Sequence, residues 1–549
     1  MKKLLAILLS AVMIGSLAAC GSQSDTKSSS KSDSETTAPA ETKAAEPKTN
    51  LPKLDNSKWK YNEDGEFYYQ VGIDYCEKPV DETLQKVAFI VPAAYMDATD
   101  NKNGTFTCKL SENGTINGYT ASNAPIVMPI ATEGYYAAEA LTEEAFTENP
   151  FFANSISEFT TEGFVYVFPG CRGIEEGAPT GVTDLKAAIR YVRYCDDVTA
   201  GDAENIFIFG MSGGGAQAAI LGASGNSELY DPYLSSIGAI ENVSDAVAGS
   251  MDWCPITDLD TANAEYEWMV GCTRSGRSAD DQAISDGLAN AFAEYVNSAG
   301  FTDKEGNALT LTESKEGIYQ AGTYYEYVKS IIEKSLNNYL SDTKFDDPEL
   351  HNSYKSAKGY IDELNADKKW INYDESTNTA TITSIADFAK SCKNASNMLV
   401  AFDQPESGNT LFGYGDGNGA HFDQILADVL KKLNNKYAAE YESDLSKTDS
   451  FNCSVEQRVN MYTPLYYLMK SRDGYGKSTV AKYWRIRAGI EQPNTSVTTE
   501  INLALALENY DGVESVDFEE VWAQGHEPVE RTGESTENFI KWVKDCTKA

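Results

Sequence analysis

The sequence predicts an α/β fold: a mostly parallel central sheet with helices on both faces, interrupted by one large insertion. Three observations predict it. Short, continuously apolar runs recur between residues 85 and 256, as strands buried on both faces require. An amphipathic helix falls between two of them. The texture turns polar from 258 to 470, rich in Asn, Asp, Ser, Lys and Tyr, and the strand pattern then resumes.

The strand runs are Val87–Val91, Ala124–Met128, Phe164–Phe168, Asn205–Phe209 and a further one within Asp245–Met251. Between the third and fourth, Leu185, Ala188, Ile189 and Val192 recur at helical spacing over Thr183–Tyr194. The polar insertion carries helical stretches such as Tyr324–Leu340 and Asp423–Leu433. After it come a strand at Ala481–Arg487, a helix at Val497–Leu507, a last strand at Val513–Val521 and a closing helix at Ser535–Val543. Residues 58–257 are thus expected to form the first part of the core, 258–470 a lid or cap, and 471–549 the rest of the core.

The N-terminal segment reads as an export signal. Lys2 and Lys3 precede an apolar Leu4–Leu17 stretch too short for a permanent span, and Leu17-Ala18-Ala19-Cys20-Gly21 resembles a lipobox in which Cys20 is lipidated. Residues 1–20 are then a lipoprotein signal. Residues 21–57, nearly devoid of large apolar side chains, are expected to be a disordered tether holding the domain at the extracellular face of a membrane. The net charge of -38 argues against a nucleic-acid partner, which needs clustered Lys and Arg. Nine cysteines remain after Cys20, without CxxC pairing; they read mostly as small buried hydrophobes, with room for one or two disulfides.

Chemistry enters at Gly210-Met211-Ser212-Gly213-Gly214, a G-x-S-x-G pattern directly after an apolar strand and before Ala216–Leu221, a credible helix start. A serine hydroxyl needs an adjacent base to be a nucleophile at neutral pH. A sharp strand-to-helix turn presents its oxygen, the glycines permit the tight backbone, and the following N–H serves an oxyanion hole. The chain has three histidines. His351 and His421 lie in the insertion. His526 follows the last strand and precedes the closing helix, where the base of an α/β-hydrolase belongs, in the order nucleophile, acid, His. An α/β-hydrolase fold with a lid or cap inserted between its sixth and seventh core strands fits this layout.

Several runs are similar to the bacterial tannases and related feruloyl-esterase-type α/β-hydrolases. They are Ile116-Asn117-Gly118-Tyr119-Thr120-Ala121 with Ala124-Pro125-Ile126, Gly177-Ala178-Pro179 with Asp184-Leu185-Lys186-Ala187-Ala188-Ile189-Arg190-Tyr191, and the Ser212 motif. Cys254-Pro255-Ile256-Thr257-Asp258-Leu259-Asp260, Glu265-Tyr266-Glu267-Trp268, Ala401-Phe402-Asp403 and Leu411-Phe412-Gly413 follow. Trp484-Arg485-Ile486-Arg487 with Thr495-Ser496, Val516-Asp517-Phe518 and His526 complete the set. The resemblance covers most of 85–545. It implies Ser212 as nucleophile, His526 as base and the Gly213 N–H in the oxyanion hole. The loop holding Glu133-Gly134-Tyr135 is expected to give the second donor, at Gly134.

Tannases resemble one another in an Asp-x-Asp-Thr run whose first Asp is the triad acid and whose second helps bind the galloyl ring. Here that run reads Gln492-Pro493-Asn494-Thr495. The family's galloyl-contacting lysine and glutamate are likewise missing around Met398–Val400 and at Gly408. The resemblance therefore implies the fold and ester chemistry, not gallate recognition. Glu491 is the first expectation for the acid, being the only carboxylate on that loop just after its strand. Asp258 is the second, and Asn494 or Gln492 are uncharged groups able to orient the imidazole.

Other sites are weak. Asp416-Gly417-Asn418-Gly419 hints at a calcium loop but lacks the remaining ligand positions. No His or Cys cluster has zinc spacing, so no metal and no cofactor are expected. The expected partner is a small ester, such as a plant phenolic or an acylated sugar, besides the membrane reached through Cys20. A peptidase on the same fold, and a binding lipoprotein that has lost its chemistry, are the rival expectations.

Overall fold

The structure, a computed structural model, describes residues 45–547 apart from 149, 315–317, 346–353, 394–406 and 494. The expected signal segment with Cys20, most of the expected tether, His351, Ala401-Phe402-Asp403 and Asn494 lie outside the described residues.

Nine strands form one sheet: β1 (Lys60–Asn62), β2 (Phe67–Asp74), β3 (Lys86–Pro92), β4 (Pro125–Ile130), β5 (Val165–Pro169), β6 (Asp202–Met211), β7 (Gly249–Trp253), β8 (Tyr483–Gly489) and β9 (Ser515–Val521). Their spatial order is β1-β2-β3-β5-β4-β6-β7-β8-β9. β1, β2, β3 and β5 pair antiparallel in succession. From β5 through β4, β6, β7, β8 and β9 every pairing is parallel. The apolar runs explain this. β4, β5 and β7 are buried along their whole length and β3 nearly so, which only helices on both faces allow. The edge strand β9 is half-exposed over most of its length. The sheet has two strands more than the seven runs read from the sequence, and the insertion falls between its seventh and eighth strands rather than its sixth and seventh. The missed pair, β1 and β2, is a short hairpin at the antiparallel edge.

Four core helices frame the site: α1 (Thr180–Tyr194), α2 (Gly213–Ala223), α3 (Val497–Glu508) and α4 (Ser535–Cys546). α1 buries Leu185, Ala188, Ile189 and Val192, the expected stripe. All of α2 is buried although it begins with three glycines, the poorest helix formers after proline. Packing, not propensity, makes it a helix. α3 is N-capped by Ser496, whose Oγ accepts the Thr498 N–H. α4 lays Phe539 and Trp542 against Phe209 and Phe207 of β6, with ring centroids 4.7 and 5.5 Å apart.

The insertion runs from the end of β7 to β8. It holds helices Ala262–Val270, Ala279–Ala299, Thr323–Asp342 and Ile385–Cys392, a hairpin pairing Ile371–Asp374 with Thr379–Ile382, and further helices to Leu468. Specific bonds tie it to the core. Tyr324 Oη donates to Asn502 of α3 at 2.6 Å, Ser335 Oγ to the Glu520 carbonyl of β9 at 2.7 Å, and Trp522 Nε1 to Tyr360 Oη at 2.7 Å.

One further expectation differs from the structure. Residues 45–57, assigned by composition to the tether, lie against the core: Leu51 and Leu54 are buried, Lys48 pairs with Glu241 through the backbone, and Tyr191 Oη donates to the Pro52 carbonyl at 3.0 Å. Two buried leucines and these bonds together dock a polar segment. The nine cysteines among the described residues are all free; five of them are buried. Among the described residues no helix is long and apolar enough to cross a membrane.

Candidate active site

The parallel strands end together, and the site is assembled from the loops after β6, β4, β8 and β9. β6 stops at Met211 and α2 starts at Gly213. Ser212 between them has φ 58° and ψ -122°, a strained conformation for a residue with a side chain. Its N–H is held by the Trp253 carbonyl at 2.9 Å. The elbow is tight on all sides. A Cβ on Gly214 would fall 2.2 Å from the Ile130 carbonyl oxygen, and one on Gly210 would fall 2.4 Å from the Gly214 carbonyl carbon. Glycine is required here because the neighbouring backbones already occupy that space.

His526 Nε2 lies 2.8 Å from Ser212 Oγ. The other ring nitrogen, Nδ1, lies 2.9 Å from Gln492 Oε1, and Gln492 Nε2 donates to Glu500 Oε1 of α3 at 2.8 Å. The loops after β8 and β9 are laced by their backbones: Ile490 N–H to Val521 O and Glu491 N–H to Gln524 O, both at 3.0 Å. A Cβ on Gly489 would meet the Gly525 carbonyl oxygen at 1.8 Å, so the close approach needs that glycine. Below the loop, Glu530 accepts both Arg485 guanidinium nitrogens at 2.5 and 2.6 Å, plus the Trp253 indole N–H at 3.3 Å and Asn538 at 3.1 Å.

His526 shows part of its surface to solvent. The protein mass around its ring, first, and the Lys393 charge, second, hold its pKa below the ordinary value of 6.5. A neutral imidazole with Nε2 facing a hydroxyl is a competent base.

The loop after β4 covers α2. Gly134 has φ 66°, and its amide nitrogen stands 3.0 Å from where a Cβ on Gly213 would be. Gly213 opens α2, so its N–H has no partner within the helix. Gly213 follows Ser212 directly, and the Gly134 amide lies beside Gly213. Thr132 Oγ1 donates to Gln217 Oε1 at 2.9 Å and Tyr135 Oη to the Ile256 carbonyl at 2.6 Å, which fixes the loop.

The acid position departs from the first expectation. Gln492, not Glu491, stands at Nδ1. Glu491 shares a backbone bond with the His526 loop, but its side chain is not on the imidazole; burial raises its pKa while Lys393 lowers it. Adjacent residues point to different sides of a loop, and that decides it. Asp258, the second choice, is not on His526 either: it is fully buried, both its oxygens lack a hydrogen-bond partner among the described residues, and burial pushes its pKa far up. His421 is bonded through Nδ1 to Asp444 at 2.8 Å and stacked on Tyr441 at 4.1 Å, away from Ser212 in a structural arrangement.

Sequence reasoning missed the charges behind the imidazole. Lys393, Glu500 and Glu520 are completely or almost completely buried, and the Lys393 ammonium has no hydrogen-bond partner among the described residues. The only local signal is that strand β9 and helix α3 carry charged residues at inward positions, as a core element rarely does.

The geometry agrees with the comparisons. The family described as BD-FAE matches residues 117–314. No curated protein matches the chain by sequence. Among solved structures, the tannase of Fusobacterium nucleatum is similar at 27% identity and TM-score 0.68, covering 88% of this chain and 95% of that one. The tannin acyl hydrolase of Lactobacillus plantarum is similar at 26% identity and TM-score 0.67, covering 88% and 94%. A tannin acyl hydrolase bound to ethyl gallate is similar at 25% identity and TM-score 0.67, again covering 88% and 94%. The sheet order, the inserted segment and these similarities together show an α/β-hydrolase fold like that of the tannases, with a stretch similar to the BD-FAE family.

Proposed function

We propose that this chain is a serine esterase that cleaves carboxylic esters through an acyl-enzyme. The observation that carries the proposal is the 2.8 Å approach of His526 Nε2 to Ser212 Oγ at a strained strand-to-helix elbow. His526 removes the Ser212 proton as the oxygen attacks the ester carbonyl. The Gly213 and Gly134 N–H groups receive the developing oxyanion. The tetrahedral intermediate collapses, His526 returns the proton to the leaving alcohol, and water repeats the sequence on the acyl-serine. Gln492 keeps the imidazole turned so that Nε2 faces the hydroxyl.

The proposed substrates are small esters of phenolic acids or acylated sugars. Kinship with a tannin acyl hydrolase bound to ethyl gallate supports the phenolic class. The absence of both carboxylates at 492 and 494 argues against gallate itself as the preferred acyl group. The lipobox sequence supports anchoring at Cys20 and exposure at the outer face of the membrane.

A panel of methyl gallate, methyl ferulate, an acetylated xyloside and the matching amides tests this. Turnover of an ester, abolished in Ser212→Ala, is expected. Turnover of amides alone would replace the esterase by a peptidase.

A further inference from the structure

We propose that Glu500 is a positioning residue for the reaction, the charged end of a relay Ser212–His526–Gln492–Glu500 in which an amide stands where a carboxylate usually does. The proposal rests on the serine-esterase reading of Ser212 and names what makes an uncharged neighbour of His526 work.

An amide has one accepting end and one donating end. Gln492 presents Oε1 to His526 Nδ1 at 2.9 Å and Nε2 to Glu500 Oε1 at 2.8 Å. An ionised carboxylate only accepts, so the donating end of Gln492 must face Glu500. Its accepting end then faces the imidazole, and the proton sits on Nδ1. That leaves the Nε2 lone pair toward the Ser212 hydroxyl. If the amide turned over, its oxygen would meet the carboxylate and its NH₂ would meet Nδ1. The proton would move to Nε2, and the base would become a donor to the serine. Glu500 thus selects the productive tautomer from one residue further away than a triad acid does.

The surroundings suit that role. Gln492 is 1% exposed and Glu500 is fully buried, so water does not compete for the amide. Glu500 Oε2 has no hydrogen-bond partner among the described residues, which leaves its charge unspent by local bonds. Five segments face it, among them the loop after β7, where Cys254 and Asp258 feel its charge. Lys393, at the end of helix Ile385–Cys392, stabilises its charge, while Glu265 of helix Ala262–Val270 and Glu520 of β9 oppose it; its own α3 contributes Thr498, Thr499 and Asn502, which bind Glu265. Burial pushes Glu500 up to about 7, with Lys393 and the Gln492 bond pulling it down. A protonated Glu500 can donate to the amide oxygen, and the lock on Gln492 is then lost. The positive charge that forms on His526 during attack lies near the Lys393 ammonium, and Glu500 supplies the compensating negative charge.

The test uses the full-length chain and three variants: Glu500→Gln, Gln492→Ala, and the exchange Gln492→Glu/Glu500→Gln, which returns one carboxylate and one amide in swapped order. Covalent labelling of Ser212 by a fluorophosphonate, kcat/KM on a responsive ester, its pH profile, and the histidine ¹⁵N tautomer signature of each protein are measured. The chain has three histidines, and His526→Ala identifies the relevant signal. Glu500→Gln is expected to lower kcat/KM and the labelling rate about tenfold with KM changed less than about twofold. It is also expected to mix the His526 tautomers and remove one proton from the acid limb. The exchange is expected to recover most of the loss and restore the Nδ1–H form, which no purely structural role for Glu500 predicts. Wild-type labelling that Glu500→Gln leaves unchanged, with one unaltered tautomer, overturns the relay alone. So does a folded exchange variant that stays as slow as Glu500→Gln. Should Glu500→Gln fail to fold, Gln492→Ala and the exchange decide by the same readouts. Absence of wild-type labelling overturns the esterase reading instead.

Discussion

Glu530→Ala tests how the His526 loop is held. Glu530 lies four residues beyond His526 and is buried beneath it, taking Arg485 in a two-pronged ion pair at 2.5 and 2.6 Å, with Trp253 and Asn538 as further donors. Removing it leaves the Arg485 guanidinium, itself almost fully buried, with the half-exposed Asp517 at 3.2 Å and the Met251 sulfur at 3.5 Å. Breaking a buried pair by deleting one partner costs about 3–5 kcal/mol, and the surviving Asp517 contact puts this case near the lower end, about 3 kcal/mol. At roughly 2 cal/mol/K of unfolding entropy per residue over about 500 residues, that loss lowers Tm by about 3 °C. The assay is thermal unfolding of wild type, Glu530→Ala, Arg485→Met and the double variant. Since the cost is mainly an orphaned charge, the double variant is expected to lie above Glu530→Ala alone. An unchanged Tm in Glu530→Ala, or strictly additive losses in the double variant, would refute the reasoning.

Other outcomes follow from the same geometry. His526 must be neutral to act, and its pKa is held below 6.5, so its step in the acid limb of kcat/KM is expected below pH 6.5, beneath the Glu500 step near 7; Lys393→Met, which removes a charge that repels the imidazolium, is expected to move the His526 step to higher pH, read from paired pH profiles. Gly213→Ala would place a methyl 2.5 Å from the Tyr135 nitrogen and displace the loop bearing Gly134; a loss of about 10²–10³ in kcat is expected, measured by steady-state hydrolysis. Glu491→Gln, one residue from the imidazole's partner, is expected to change kcat less than about twofold, whereas Gln492→Ala costs about 10- to 100-fold.

The parallel half of the sheet was legible because strands buried on both faces read as unbroken apolar runs, as in Val87–Val91 and Phe164–Phe168. β1 and β2 were not, because no residue of β1 is buried and Phe67–Asp74 mixes buried, half-exposed and exposed residues without such a run. The elbow could be read from five consecutive residues, and His526 from its place after the last strand. The group at Nδ1 could not. Sequence favours the carboxylate at 491 over the amide at 492, and only the turn of one loop residue decides which faces inward. Lys393, Glu500 and Glu520 were equally hidden: they converge from a helix end, a helix and a strand far apart in the chain, and no local spacing announces it.

Labelling of the purified full-length chain by a fluorophosphonate, with the modified peptide mapped, tests the central claim most directly. Modification confined to Ser212, and lost in His526→Ala, is the result the account predicts. A folded protein that stays unmodified, or one modified at another residue while Ser212 remains free, would contradict it.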